Sequence, residues 1–321
     1  MDTIAILIPV FNEEKTIVEL TNELEEACVL ISNIHKVNFR IIFVDDGSND
    51  RSVEKIFQLK DHPLPVQLIS LSRNFGKESA ISAGLEAGKD DSAILIMDAD
   101  LQHPPALIQE LINAYTNENV DMVYAYKQSR KTEGVFSRLM SKIFYSLINT
   151  NSRFYIPKDA GDFRILSNKV VKSILNLPEN ERFMKGLYAW VGFKVKGVPY
   201  TPKKRAHGVS FFSIWKLLFL AIDGITSFSI APLRMMSMFG LGIAILSTLY
   251  FLFIIFERLF LNTSIPGLAS IFVLVSFFGG VQLICLGIIG EYIGKILLEA
   301  KKRPPYVIDK DVEISKGKSN S

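Results

Sequence analysis

The most informative stretch of the chain reads AILIMDADLQHPP and covers residues 93–105. Its apolar start is typical of a buried strand in a parallel sheet, and the two prolines stop it. Asp98 and Asp100 alternate along the strand end, so both carboxylates can face the crevice where open α/β sheets bind ligands. With water and a diphosphate, they would suit Mg²⁺ or Mn²⁺. The same pair could simply solvate a strand end, so the rest of the chain has to distinguish the two interpretations.

Strand and helix patterns alternate around this stretch. The further predicted strands cover residues 4–9, 40–44, 66–71 and 122–126. The predicted helices cover residues 15–31, 52–59 and 78–87, and a segment that ends near residue 116. This alternation predicts an α/β fold in which a mostly parallel sheet carries helices on both faces.

Polar clusters follow the predicted strands at the edge of the sheet where a ligand is expected. They read PVFNEE at residues 9–14, DDGS at 45–48 and RNFGK at 73–77. The first strand is not followed by G-x-G-x-x-G, which disfavours a dinucleotide oxidoreductase, and there is no P-loop motif. Asp45 and Asp46 could bind a ribose or a base, but DDGS is also ordinary turn chemistry, so both interpretations stay open.

Composition narrows the class of protein. The formal net charge is +3, which gives no sign of a nucleic-acid partner. Cys28 and Cys285 are too few for a disulfide framework, and we expect both to be buried apolar residues. The chain enters its first strand without the basic segment of a signal peptide, so we expect the soluble part to stay cytoplasmic.

Two long uncharged runs predict membrane spans. Residues 235–256 and 259–290 contain 22 and 32 residues without a charge, and about 20 residues suffice to cross a bilayer. Basic residues on both sides agree with the positive-inside rule, so we predict a multi-pass protein of the inner (plasma) membrane. The predicted regions are a cytoplasmic α/β domain at 1–207, an interfacial amphipathic region at 208–232, a two-helix transmembrane hairpin at 233–298, with spans at about 235–256 and 267–290, and a cytoplasmic tail at 299–321. We expect the polar tail after Val307 to be loosely ordered.

Taken together, the motifs resemble those of one family. PVFNEE, VDDGS, RNFGK and DADLQHPP occur in the order found in family 2 glycosyltransferases with the GT-A fold. More narrowly, they are similar to the polyprenyl-phosphate glycosyltransferases, the relatives of dolichol-phosphate mannose synthase and of bactoprenol glucosyltransferases. The likeness continues through DAGDFR, ERF, DGITSFS and PLR and covers essentially residues 3–300.

The resemblance implies transfer of a sugar from a nucleotide-sugar donor to a polyprenyl phosphate, with Mg²⁺ or Mn²⁺ as cofactor. Asp100 is implied as the main metal ligand, with Asp98 assisting or holding the ribose. The implied nucleotide-sugar site comprises Pro9, Asn12, Glu13, Asp45, Asp46, Asn74, Lys77 and Asp98. The implied catalytic residues are Asp162, Asp100 and Arg205, and the implied lipid-phosphate residues are Arg138, Ser141, Lys142, Arg164 and Lys204.

Several of these roles have alternatives. A phosphate monoester has a second pKa near ~6, so the acceptor is already ionised and Asp162 is expected to orient it or balance the charge of Arg164 rather than act as a strong base. Asp159 competes with Asp162 for this role. The basic residues near 138 and 204 could instead be a surface helix and a positive-inside anchor. His103 is expected to be structural or on the nucleotide side, because Mg²⁺ prefers oxygen.

UDP-glucose is the leading donor, and UDP-N-acetylhexosamine, UDP-aminoarabinose-type and GDP-mannose donors stay open. The other implied partners are undecaprenyl phosphate as acceptor, membrane lipid, a homo-oligomer (a tetramer by resemblance), a flippase and a downstream glycosyltransferase. A processive polysaccharide synthase is disfavoured, because the chain lacks Q-x-x-R-W and further spans. A non-catalytic membrane-anchored nucleotide-sugar binder is the competing class, and the acidic residues at 98, 100 and 162 argue against it.

Overall fold

The computed structural model describes residues 2–127, 156–157, 160–180, 182–201, 231–260 and 267–317. The chain forms two compact units. The first unit comprises Met1–Ser141, Phe154–Phe212 and Arg303–Ser321, and the second comprises Lys142–Arg153 and Ser213–Lys302.

The first unit is built on an eight-stranded mixed sheet in the order β7-β5-β6-β4-β1-β2-β3-β8. Its strands are β1 (Thr3–Val10), β2 (Asn38–Asp45), β3 (Pro65–Leu71), β4 (Ala93–Ile96), β5 (Met122–Lys127), β6 (Ala160–Ser167), β7 (Val195–Tyr200) and β8 (Ile308–Lys316). The β4-β1-β2-β3 core is parallel, as is the β5–β7 pair. β6 runs antiparallel to β4 and β5, and β8 runs antiparallel to β3. The predicted α/β fold with a mostly parallel sheet is therefore confirmed.

Helices connect these strands. They are α1 (Ile17–His35), α2 (Ser52–Phe57), a 3₁₀ turn (Gln58–Asp61), α3 (Lys77–Ala87), α4 (Pro105–Asn117), α5 (Asn168–Leu175) and α6 (Met184–Trp190). All residues of β1 after Thr3 are buried, as expected for a central strand covered on both faces. A Cβ on Gly84 of α3 would lie 1.9 Å from Leu7 Cδ1. Glycine at position 84 thus lets α3 pack closely on β1, which fixes the helix that begins beside the strand ends.

The second unit contains two long helices, α7 (Ala231–Phe260) and α8 (Leu268–Ala300). By length and composition, Phe277–Ala300 is the one segment of the described chain that could cross a membrane, whereas the apolar segment Met235–Tyr250 of α7 is shorter. The helices predicted at both spans are present, but the transmembrane hairpin stays a prediction. The region predicted to be interfacial lies, up to residue 230, outside the described residues.

The prediction of a loosely ordered C-terminal tail was wrong, because residues 308–316 form strand β8. Gln67 Nε2 on β3 donates to Asp311 Oδ1 at 2.7 Å, and Ser315 Oγ donates to the His62 carbonyl oxygen at 2.7 Å. β8 is an edge strand whose charged side chains face water, and such strands lack the apolar run by which a central strand is recognised. The polar composition of β8 therefore gave no indication of a strand in the sequence.

Candidate functional site

A cleft of about 280 Å³ lies at the carboxyl ends of β1, β2 and β4 and at the start of α3. Parallel strands bring these ends to one edge of the sheet. Seven of the residues predicted for nucleotide-sugar and metal binding line it, namely Pro9, Glu13, Asp46, Asn74, Lys77, Asp98 and Asp100. Phe11, Gly76, Ala80, Ala99 and Val10 complete the lining.

Asp46 anchors the loop that follows β3, which we call the 72–76 loop. Its Oδ1 accepts a hydrogen bond from the Phe75 amide at 2.7 Å, and its Oδ2 accepts one from the Gly76 amide at 2.9 Å. Asp46 is 4% exposed, and this burial raises its pKa even though both amides oppose the shift. The next residue, Gly47, has φ +72°, and a Cβ there would lie 2.6 Å from the carbonyl carbon of Arg73. Asp46 and Gly47 together hold the 72–76 loop in place.

Asn12 and Glu13 connect the first strand to the loop after β2. Asn12 adopts φ 58°, its amide donates to Ser48 Oγ at 2.9 Å, and its Oδ1 accepts from the Asn49 amide at 2.8 Å. The Glu13 amide donates to Ser52 Oγ at 2.8 Å. Asn12 thus braces two loops and does not line the cleft, whereas the Glu13 carboxyl does, and burial raises its pKa.

Asp45 lies apart from the cleft that Asp46 lines. Its Oδ1 accepts from the Ser48 amide at 3.1 Å, a turn contact of the kind that remained open from the sequence. It lines a second cleft of about 500 Å³, together with Ser70, Arg73, Asp309 and Lys310. Asn74 lines both clefts, so it is the member of the predicted nucleotide-sugar site that the structure places in one cleft with Asp45.

Lys77 bridges the two acidic groups that were predicted for metal binding and for the acceptor. Its Nζ lies 2.5 Å from Asp98 Oδ1 and 2.7 Å from Asp162 Oδ2. Burial alone would lower the pKa of Lys77, but the charges of Asp98 and Asp162 outweigh it and raise the pKa. Burial likewise opposes ionisation of Asp162, yet Lys77, Lys185 and Arg164 together lower its pKa to about 2. Asp162 is therefore an ionised partner of Lys77.

Arg164 lies two residues further along β6 and is only 3% exposed. Its Nη2 donates to the Gly161 carbonyl oxygen at 2.6 Å, and its guanidinium carbon lies 3.8 Å from the centre of the Tyr188 ring. It lines a third cavity, of about 270 Å³, with Tyr124, Lys185 and Tyr188. Arg164 is thus near Asp162 in the strand but does not line the first cleft.

Glu78 is a titratable group that the sequence analysis missed. It follows Lys77 at the start of α3, and its Oε2 accepts from the Met184 amide of α6 at 3.2 Å. Burial, followed by the charge of Asp162, raises the pKa of Glu78 to about 7. In sequence it looks like an ordinary acidic residue of a first helical turn, which the helix dipole favours. Only the hydrogen bond from the first residue of α6 distinguishes it.

His103 packs against β6. Its ring stacks on Phe163, with 4.4 Å between ring centres and 15° between planes. The ring is buried, and burial lowers its pKa. This is the structural role that was one of the two expected for His103.

The acidic pair fits a hard divalent cation. Asp98 and Asp100 offer carboxylate oxygens, the ligand type that Mg²⁺ and Mn²⁺ prefer. Across the described residues, no group of three or more His, Cys, Asp or Glu side chains is placed to hold a metal. The pair Asp98 and Asp100 therefore suits a cation that is held by one or two carboxylates and takes its remaining ligands from phosphate and water.

Six candidate residues of the acceptor side lie outside the described residues. They are Arg138, Ser141, Lys142, Asp159, Lys204 and Arg205.

Comparisons with known proteins agree with the motifs. The profile of glycosyl transferase family 2 matches residues 5–175. An uncharacterized glycosyltransferase of Synechocystis is 40% identical over 305 residues, covering 95% of this chain and 94% of that protein. The SfII prophage-derived bactoprenol glucosyl transferase of Shigella flexneri is 41% identical over 308 residues, covering 96% of this chain and 97% of that protein. The solved glucosyl-3-phosphoglycerate synthase of Mycobacterium tuberculosis, in complex with Mn²⁺, UDP-glucose and phosphoglyceric acid, is 16% identical over 71% of this chain and 78% of that one, with a TM-score of 0.47. The profile match and the near full-length relatives establish that the chain belongs to glycosyl transferase family 2.

Proposed function

We propose that this protein transfers glucose from UDP-glucose to a polyprenyl phosphate, with inversion at the sugar carbon, at the cytoplasmic face of a membrane. The observation that carries the proposal is the Asp98–Lys77–Asp162 bridge, of which Asp98 and Lys77 line the cleft at the strand ends. The sugar and acceptor are supported by the names of relatives that are 41% identical over almost the whole chain. A family 2 fold with charged side chains at this cleft suits a reaction in which an acceptor oxygen displaces the diphosphate from the sugar.

The nucleotide end of the donor is proposed to bind between Asp46 and the first strand end. Asp46 is held by two amides of the 72–76 loop, so its position is fixed before a ligand arrives. Phe11 is 43% exposed at this cleft and offers an aromatic face to the base. Pro9, Glu13 and Asn74 would enclose the remaining sides.

The charge of the cleft supports a role for a divalent cation. A diphosphate brings negative charge into a cleft already lined by Glu13, Asp98 and Asp100, and the charge of Lys77 is shared between two carboxylates. Asp100 would hold Mg²⁺ or Mn²⁺ with help from Asp98. When bound, the cation would stabilise the charge that develops on the departing diphosphate.

Asp162 is proposed to act through its charge and not as a base. With a pKa of about 2 it stays ionised at neutral pH and accepts a proton poorly. An acceptor phosphate, whose second pKa is about 6, already presents an ionised oxygen. That oxygen would attack the anomeric carbon while the bond from this carbon to the diphosphate breaks and UDP leaves. Asp162 would hold Lys77 in the cleft, where the lysine would contact both the donor diphosphate and the acceptor phosphate.

The lipid side completes the proposal. Arg138, Ser141, Lys142, Arg164 and Lys204 are proposed to bind the lipid phosphate, and Arg205 is proposed to clamp the donor diphosphate or the lipid phosphate. The two helices of the second unit are proposed to anchor the protein in the inner membrane, where apolar segments of this length are stable. Assembly as a homo-oligomer, and use of the lipid-linked sugar by a flippase and a second glycosyltransferase, belong to the same proposal.

The test is transfer of radiolabelled sugar from a panel of UDP- and GDP-sugars to undecaprenyl phosphate in detergent, with and without Mn²⁺. The wild type is compared with Asp100→Asn and with Asp90→Asn, which makes the same charge change on an exposed residue outside the cleft. We expect a lipid product from UDP-glucose that requires the metal and that Asp100→Asn alone fails to make. Product from another donor would identify the sugar of that donor as the one transferred. UDP binding without any product would favour a non-catalytic binder.

A further inference from the structure

Strand β8 pairs with the strand that leads into the 72–76 loop. β3 and β8 are antiparallel from the pair Pro65–Lys316 to the pair Leu71–Ile308. The pairing continues one residue beyond β3, where the Ser72 amide donates to the Val307 carbonyl oxygen at 2.9 Å. The chain at β8 therefore contacts the first residue of this loop.

The 72–76 loop forms one side of the first cleft. Asn74 and Gly76 line the cleft, and Lys77 follows the loop directly. The loop has no freedom to move toward β2, because the Asp46 carboxylate binds two of its amides and Gly47 leaves no space for even a Cβ. The position of the loop therefore determines where Asn74 and Lys77 lie in the cleft.

Two side-chain contacts strengthen the β3–β8 pair away from the loop. Gln67 binds Asp311, and the buried Ser315 hydroxyl binds the His62 carbonyl oxygen. Without β8, β3 would be an edge strand with unpaired backbone groups, and the loop would start from a fraying strand end.

We infer that β8 is a positioning element of the donor site, which holds the 72–76 loop against Asp46 and Gly47 and thereby raises donor affinity. The inference rests on the proposed function. None of the described residues that line the first cleft belongs to β8, and Asp309 and Lys310 of β8 line the second cleft, which has Asn74 in common with the first. β8 thus acts on the donor site through its backbone pairing with β3.

The test uses the full chain in detergent and the double variant Asp311→Pro/Val312→Pro. Adjacent residues of an antiparallel strand alternate between bonding to the partner and pointing away, so one of the two prolines removes a ladder hydrogen bond. The matched control is Glu313→Ala/Lys316→Ala, which changes two exposed β8 side chains that line neither cleft and keeps the backbone ladder. The readouts are calorimetric titration with UDP and Mn²⁺, and amide hydrogen exchange of Phe75 and Gly76.

We expect UDP to bind about tenfold more weakly to the proline variant, because part of its binding free energy then orders the loop. Exchange of the Phe75 and Gly76 amides should accelerate in the same variant, and the control should match the wild type in both readouts. Unchanged exchange overturns the inference, and so does faster exchange with unchanged UDP affinity.

A milder variant covers the case in which the double proline variant fails to fold. Val312→Gly weakens strand formation without removing an amide, so we expect the same two changes at smaller size, and wild-type behaviour overturns the inference. A wild type that does not bind UDP would contradict the proposed function. The exchange comparison would still decide whether β8 holds the loop, since it needs no ligand.

Discussion

Glu78 is expected to make the stability of the catalytic unit depend on pH. Burial beside Asp162 raises its pKa from an ordinary value of 4.5 to about 7. Because the folded state holds this proton more tightly than the unfolded chain, the stabilising contribution is complete below pH 4.5 and is lost as pH rises through about 7. At about 1.4 kcal/mol per pKa unit, the loss amounts to about 3 kcal/mol.

The perturbation that isolates this effect is Glu78→Gln. Glutamine keeps an oxygen that can accept the Met184 amide hydrogen bond but cannot ionise. We expect the variant to match the wild type at pH ~4 and to unfold at a temperature about 6–12 °C higher at pH ~8, at roughly 2–4 °C per kcal/mol. The assay is thermal unfolding in detergent across this pH range, followed by tryptophan fluorescence, to which Trp190 of α6 contributes.

The control for this experiment lies on the same helix. Glu86 is exposed and pairs with Lys89, so Glu86→Gln removes the same charge without a buried carboxyl. Its unfolding temperature should follow the wild type as the pH changes. If Glu78→Gln and the wild type gave parallel curves throughout, the argument from burial beside Asp162 would be refuted.

Three further predictions concern the cleft. Asp162→Asn should slow turnover by about a hundredfold, because the charge of the carboxylate is lost, and it should change UDP affinity little. Initial rates and a UDP titration measure the two effects. Unchanged turnover would remove Asp162 from the mechanism. Lys77→Met should slow turnover further, because it leaves two carboxylates unpaired. The double variant Lys77→Met/Asp162→Asn should recover part of that loss in single-turnover rates. Additive losses would show that the two side chains are not coupled. Gly47→Ala should destabilise the fold by about 1–3 kcal/mol and weaken UDP binding, because it combines a positive φ with a clash. Gly76→Ala meets nothing within 4 Å, but the backbone of Gly76 (φ 98°, ψ 155°) lies in a region that is essentially confined to glycine, so strain alone should cost about 1–3 kcal/mol in the same melting experiment.

The sequence predicted the central sheet and the location of the cleft because both follow from short-range patterns. The apolar runs of β1 and β4 are buried on both faces, so each can be recognised as a strand from its own sequence. Since parallel strands end at one edge, the polar clusters after them had to converge. Asp98 and Asp46 therefore line one cleft although 52 positions separate them in the chain.

The features that escaped prediction depend on which way a side chain faces and on distant partners. Asp45 and Asp46 are adjacent at a strand end, where successive side chains point to opposite faces, and no local signal says which one lines the first cleft. Lys77 could equally have been a surface lysine of α3, and its bridge to Asp162 exists only because β6 lies beside β4. Glu78 is distinguished only by the approach of α6.

The place of β8 in the chain has a consequence for how the protein is made. Asp311 lies 244 residues after its partner Gln67. At a synthesis rate of ~5–20 residues per second, β3 waits roughly 12–50 s for the strand that covers its edge. Both long helices leave the ribosome during this interval, since they precede β8. The nascent chain thus carries an open sheet edge, the kind of surface that chaperones shield from aggregation, until translation is almost complete.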